Sequence, residues 1–439
     1  MNILLSNKFY YRRGGDCIYT LNLEQLLKER GHNVAVFAMD YPENFESPWS
    51  GYFPSEISMK PGPRMFEAFR RPMGSKEVRT KFSKLLDDFR PQVVHLNNIH
   101  TQLSPVIAEL AHARGIRVVW TIHDLKLLCP RYDCLQNGKT ICEECFVGCK
   151  FPVLRHRCMK NSLLASAIAY GEARCWTRSR LEKCTDVFIC PSRFMAGKMA
   201  LGGFSESRIK TLCNFIDVAK CANDGANDGT KDGALESYGN RSDYYCYVGR
   251  LSHEKGIATL VNAAKTLPYK LKVVGGGPLA NELAQNAGPN VELVGYKNWD
   301  EIKSIVGHAR FAVIPSEWYE NNPLSVIEAL CLGTPVLGAN IGGIPELICE
   351  GLGSVNAVKS GTANIDASSA TNAVSSGASN IVEPGVARGM VFESGNVLDL
   401  AAKIREMWSA SWNHQQIATQ SQSRFNSQNY YERLMEIYQ

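Results

Sequence analysis

Two glutamates stand where a pair of carboxylates can grip two parts of one ligand. They are Glu320 and Glu328, in Ser316-Glu317-Trp318-Tyr319-Glu320-Asn321-Asn322-Pro323-Leu324-Ser325-Val326-Ile327-Glu328-Ala329-Leu330. The stretch follows the apolar run 311–314 and reads as strand, loop and helix start. Pro323 fits the first turn of a helix, where its missing N–H costs nothing. The free amides around Asn322, Leu324 and Ser325 face the positive end of the helix dipole, which suits a diphosphate. Glu320 then sits in the loop and Glu328 about one and a half turns inside the helix, which separates their tasks.

A second group follows the apolar run 244–248: Gly249-Arg250-Leu251-Ser252-His253-Glu254-Lys255-Gly256. A departing diphosphate develops negative charge as its bond breaks. A forked guanidinium and an ammonium in a low-dielectric cleft stabilise that charge. Isolated basic residues are usually solvated loop cations. The glycines at both ends favour a functional reading of Arg250 and Lys255.

The E-x7-E pair and the G-R-x4-K-G segment together resemble the signatures of retaining glycosyltransferases of the GT-B fold, family 4 (glycosyl transferases group 1), and the resemblance covers nearly the whole chain. It implies that Glu320 lies against the donor sugar, that Glu328 holds the ribose hydroxyls, and that Arg250 and Lys255 clamp the diphosphate. Gly14-Gly15 resembles the family's N-terminal glycine pair, whose backbone approaches the donor phosphate from the opposite wall. Val273-Val274-Gly275-Gly276-Gly277-Pro278-Leu279 is similar to its V-G-x-G-P turn and adds Gly276 to the donor site; turning alone also explains those glycines. Tyr296, after Val294-Gly295, falls at the level of the nucleobase. His123, in Trp120-Thr121-Ile122-His123-Asp124, matches the histidine near the donor sugar, although a satisfied structural histidine beside Asp124 gives the same sequence. His95 and His100 are acceptor-side candidates.

The resemblance implies a metal-independent, retaining hexosyl transfer. The donor would be a UDP- or GDP-sugar, and the acceptor a hydroxyl on a glycan or lipid-linked glycan in polysaccharide biosynthesis. Other GT-B activities, such as a nucleotide-sugar epimerase or a phosphorylase, share the plan. A dinucleotide oxidoreductase would need a G-x-G-x-x-G turn after the first strand, and that turn is missing.

The elements that must position these residues are legible as alternating apolar runs and amphipathic segments. Runs at 3–5, 34–37, 93–96, 118–121 and 187–190 are apolar throughout, as strands of a parallel sheet covered on both faces are. A second series begins at 244–248 and continues through 271–274, 291–294 and 311–314. We therefore expect two doubly wound Rossmann-like α/β domains, 1–212 and 243–408, facing across a cleft. Residues 213–242 read as linker, 354–385 as a flexible surface insertion, and 409–439 as a helical tail packing back on the N-terminal domain.

A Cys-rich insertion, 129–158, interrupts the first domain. Cys129, Cys134, Cys142, Cys145, Cys149 and Cys158, with His156 nearby, offer more than the four ligands of a structural zinc, at a spacing that matches no standard zinc signature. An iron–sulfur cluster, labile disulfides or plain thiols remain open readings, and a non-catalytic metal-binding scaffold is the alternative they would favour. Scattered cysteines such as Cys190, Cys213, Cys246 and Cys331 read as core thiols.

Composition sets the outer limits. At 439 residues the chain exceeds one ordinary core, and 45% hydrophobic with 21% charged residues is globular. A formal charge of +5 does not argue for nucleic acid. The start reads as a buried strand rather than a signal peptide, which gives an expected cytoplasmic location. The basic stretch 60–84 suggests peripheral contact with the inner face of a membrane, or simply a solvated helix face.

Overall fold

The computed structural model describes residues 1–56, 70–136, 138, 140–217, 241–349 and 387–439. Most of the expected linker, the insertion 354–385 and the first part of the basic stretch lie outside the described residues.

The first domain is built on a six-stranded parallel sheet. Its strands are β1 (Asn2–Ser6), β2 (Asn33–Phe37), β3 (Val93–Leu96), β4 (Arg117–Thr121), β7 (Val187–Cys190) and β8 (Ile209–Thr211), in the order β2-β1-β3-β4-β7-β8. The inner strands are buried on both faces, which is why they read as unbroken apolar runs. The short hairpin β5 (Leu135–Gln136) and β6 (Thr140–Ile141) belongs to the Cys-rich insertion.

The second domain repeats the plan with β9 (Tyr244–Val248), β10 (Lys270–Val274), β11 (Val291–Gly295), β12 (Ala312–Ile314), β13 (Val336–Ala339) and β14 (Gly389–Phe392), in the order β11-β10-β9-β12-β13-β14. All pairings in both six-stranded sheets are parallel. Both domains follow the doubly wound plan expected from sequence. Strand order reverses between β1 and β3 in one sheet and between β9 and β12 in the other. Crevices form at the carboxyl ends of strands flanking such switch points.

The tail divides between the domains rather than packing as one piece. Helix His414–Phe425 lies on helix Leu324–Cys331 of the second domain, burying Ile417 and Phe425. Asn426 then caps the last helix, Ser427–Tyr438, which buries Tyr430, Leu434 and Tyr438 against Ile3, Leu5, Leu23 and Phe215 of the first domain.

That docking removes His95 from the acceptor candidates. His95 is fully buried in β3, its Nδ1 2.5 Å from Tyr438 Oη and its Nε2 2.7 Å from Thr121 Oγ1, and burial pushes its pKa down to about 3. It is a neutral core histidine. In the described part of the basic stretch, helix Lys76–Phe89 pairs Lys84 with Asp88 and Lys81 with Glu77, so these lysines form a self-compensated helix face.

Candidate functional site

The loops after β9 and β12 meet at the second switch point. Gly256 turns the first loop with φ +68°, and a Cβ there would lie 1.8 Å from the Pro315 carbonyl of the second, so only glycine permits the approach. Lys255 thereby reaches Glu320, Nζ to Oε1 at 2.6 Å. Ser316 Oγ and Trp318 Nε1 donate to the same oxygen at 2.9 and 2.8 Å. Burial alone would raise this carboxyl's pKa, but the Lys255 charge and the three donors outweigh it and hold it below the usual range. With Oε1 saturated, Oε2 accepts from no donor among the described residues and is an acceptor oxygen for a ligand.

Arg250 is exposed, and no side chain among the described residues pairs with its guanidinium. Its backbone is held instead: Arg250 O accepts from Tyr247 Oη at 2.8 Å, and Leu251 N donates to Gly276 O at 3.0 Å. The glycine requirement of the 275–277 turn falls on Gly275 and Gly277, whose Cβ atoms would meet Gly249 O and Leu251 O at 2.0 and 2.4 Å. Gly276, the residue expected at the donor, faces open space.

Helix Leu324–Cys331 starts at Pro323, which is the N-cap with φ −67° and ψ 123° rather than a residue of the first turn. The Leu324 side chain is buried in the core, so only its backbone is on offer to a ligand. The first-turn amides of Leu324 and Ser325 lack intrahelical acceptors, as at every helix start. Asn322 differs from expectation: its Oδ1 accepts from Asn214 N at 3.0 Å and its backbone O from Asn214 Nδ2 at 2.8 Å. That side chain joins the domains instead of entering the cleft.

Glu328 lies further along the helix in a narrow crevice with Val248, Trp299, Ile302 and Ser325. Burial pushes its pKa up to about 7, and no hydrogen-bond partner is found for its carboxylate among the described residues. A half-buried carboxylate with no partner among the described residues is ready to accept from ligand hydroxyls. Tyr296, expected near a base, is 87% exposed. Gly295, with φ +78°, turns the chain outward there, and Trp299 walls the crevice in its place.

The opposite wall comes from the first domain. His123 follows β4; its Nε2 is 3.0 Å from Asn97 Oδ1, and its ring meets Tyr19 edge-on at 4.9 Å. Burial lowers its pKa to about 4 against the pull of Asp16, so the imidazole is neutral at pH 7. Gly14 is the extended N-cap of helix Gly15–Glu29, and Gly15 has open space where a Cβ would stand. His100 stacks on Trp120 at 5.4 Å, its pKa pushed well down by burial. Lys8, after β1, is a residue that motif reading missed: burial depresses its pKa, opposed by Asp16 and Asp124.

Asn321 fastens the walls together. Its Nδ2 donates to Ile122 O at 2.8 Å, and its Oδ1 accepts from Ser192 Oγ at 2.7 Å. Gly342 and Gly343 make room for this loop, since a Cβ on either would fall within 2.0 Å of the Glu320 or Asn321 carbonyl. Ile341-Gly342-Gly343-Ile344-Pro345-Glu346 was the signal available for these positions. Glu346 itself caps a helix of the other domain, accepting from Arg193 N at 2.8 Å.

The Cys-rich insertion touches the same loop, Tyr319 Oη donating to Glu143 at 2.7 Å. Its six cysteines are free thiols, and no three His, Cys, Asp or Glu side chains among the described residues are grouped to hold a metal ion. Cys129 and Cys134 pack into the main core with their thiols hydrogen-bonded to each other, Cys145 and Cys158 lie close enough to feel the Cys129 charge, and Cys149 is exposed. The Lys150 ammonium, bound to Leu128 O at 2.8 Å, adds positive charge beside Cys145, Cys129 and Cys134. No zinc site of the kind expected from sequence is formed among the described residues.

Comparison with known proteins places this geometry. The family model described as Glycosyltransferase Family 4 matches residues 13–220, and that described as Glycosyl transferases group 1 matches residues 236–371. An uncharacterised 42.6 kDa protein in the cps region of Klebsiella pneumoniae is 24% identical over 79% of this chain and 87% of its own. A glycogen synthase of Mycobacterium tuberculosis is 33% identical over 28% of this chain and 32% of its own length. Among solved structures, Anabaena HepE in complex with UDP superposes with a TM-score of 0.61 at 15% identity, covering 100% of this chain and 99% of that one.

Proposed function

The chain belongs to the group 1 glycosyltransferases of GT-B fold, and from that premise we propose a retaining, metal-independent transfer of a hexose from a UDP- or GDP-sugar to a hydroxyl of a glycan or lipid-linked glycan. Arg250, Lys255 and the amides of Leu324 and Ser325 take up the charge of the departing diphosphate. Glu320 orients the sugar through Oε2, neutral His123 lies on its far side, and Glu328 accepts from the ribose hydroxyls. As the bond from the anomeric carbon to the diphosphate breaks, the acceptor oxygen bonds to that carbon on the same face. Its proton passes to the leaving phosphate oxygen.

The observation that carries this reading is the Lys255–Glu320 contact at one switch point, beside Arg250, whose guanidinium has no side-chain partner among the described residues. UDP in the HepE structure supports a uridine donor, and the glycogen synthase likeness supports polysaccharide synthesis. The fourteen described cysteines are all free, which fits a reducing, cytoplasmic compartment.

The test is a thermal-shift series with UDP, GDP, ADP and dTDP and their sugars, repeated on Glu328→Ala. One base should raise the melting temperature of the parent and fail to do so in the variant. No shift with any nucleotide would remove the donor-site reading.

A further inference from the structure

Five of the large hydrophobic side chains left exposed lie in one region of the first domain: Val147, Phe151, Leu163, Leu164 and Leu201. Helix Leu163–Cys175 shows why. It turns Ser166, Ala169 and Glu172 inward, and its only acid, Glu172, is spent on Lys126 at 2.8 Å. The outward positions Leu164, Ala167, Ile168 and Gly171 carry no charge until Arg174. A solvent-facing helix ordinarily places polar residues there. Phe151 stands alongside, its ring 6.5 Å from Tyr170, and Val147 and Leu201 flank a cavity of about 400 Å³ between the insertion and this helix.

The charge of the region is as one-sided as its polarity. Residues 146–180 hold seven Lys and Arg against one Glu, enough to account for the whole formal charge of +5 on the chain. Arg157, Lys160 and Arg174 are exposed and make no ion pair among the described residues. A soluble polyanion would use these cations but not the bare leucines. A bilayer with anionic headgroups uses both, because apolar side chains enter the acyl boundary while cations meet lipid phosphates.

We infer that this face, formed by the Cys-rich insertion and helix Leu163–Cys175, docks the protein onto an anionic lipid bilayer. Leu163, Leu164 and Phe151 enter the headgroup boundary, and Arg157, Lys160 and Arg174 meet the phosphates. Through Glu143 and Tyr319 the same insertion touches the loop that carries Glu320, so a docked molecule holds its cleft near the membrane surface. The inference does not depend on which donor or acceptor the cleft takes.

Co-sedimentation with phosphatidylcholine vesicles, with and without 30% phosphatidylglycerol, tests it on the full chain. The parent should pellet with the mixed vesicles at least about tenfold more than with the neutral ones. Leu163→Glu/Leu164→Glu and Arg157→Glu/Lys160→Glu should each remove most of that binding. Lys81→Glu/Lys84→Glu, on the self-paired helix, should leave it intact. Parental circular-dichroism melting curves in the same variants verify that they fold. Absence of binding to the mixed vesicles overturns the inference. So does binding that survives the leucine substitutions and is displaced by dextran sulfate, since the face would then recognise a soluble polyanion.

Discussion

The Lys255 ammonium meets Oε1 of Glu320 at 2.6 Å, joining the loop after β9 to the loop after β12. Removing one partner strands the other in a buried place. Lys255→Met should therefore cost on the order of 3 kcal/mol, while Lys255→Met/Glu320→Gln should recover more than half of that. Urea denaturation of the single and double variants measures the coupling. Purely additive losses would show that the contact carries no energy of its own.

Arg250 presents the opposite case, a cation held by its backbone and not by a side-chain partner. Arg250→Lys should leave the melting temperature within about 1 °C, because nothing buried is lost. It should lower kcat/KM on the order of a hundredfold, because a point charge replaces a fork on the diphosphate. A variant that melts early yet turns over normally would mark Arg250 as structural.

Glu328 gives a pH signature. Its folded pKa is raised to about 7 by burial, above the ordinary value near 4.3. The folded state thus holds this proton more tightly than the unfolded chain does, and stability is lost as pH rises from about 5 through 7. Glu328→Gln should melt with the parent at pH 5 and above it at pH 8, by roughly 3 °C for about 1 kcal/mol in domains of this size. Donor binding runs the other way, since ribose hydroxyls donate to the ionised form. Affinity in the parent should rise up to about tenfold from pH 6 to 8 relative to the variant, as titration calorimetry would record. Parallel melting curves at both pH values would place the carboxyl in solvent.

Gly256 is the pivot of the Lys255 loop. Gly256→Ala needs a left-handed φ and pushes a methyl into the Pro315 carbonyl. A cost of about 2–4 kcal/mol is expected, together with loss of the Lys255 contribution to turnover. An alanine variant with parental stability would mean that the loops can part without consequence.

Both sheets were legible because strands buried on two faces leave apolar runs that no loop imitates. Glu320, Glu328, Arg250 and Lys255 were legible as spaced residue types, and the chain folds Glu320, Arg250 and Lys255 to neighbouring loops and Glu328 into the helix that follows. Side-chain direction was not. Asn322 looks as available as Asn321 in sequence, yet one binds Asn214 and the other bridges to Ile122, because adjacent loop residues point apart. His95 read as accessible until the last helix, 343 residues away, closed over it. Cysteine density suggested a metal, but nearness of thiols does not by itself arrange three ligands about one point. The glycines at 342 and 343 went unnoticed because their constraint is a neighbouring backbone, invisible in a single chain read from left to right.

The final helix has a consequence for biosynthesis. The core around Ile3, Leu5 and His95 is closed by Tyr430, Leu434 and Tyr438 together with Tyr19, Leu23, Leu26 and Leu27 of helix Gly15–Glu29. A nascent chain therefore completes its first domain only after the second has been made. Until helix Ser427–Tyr438 emerges, part of one apolar face of the amino-terminal sheet stays uncovered. Premature termination before residue 427 leaves the first domain without that helix. Such fragments are natural clients for chaperones and proteases.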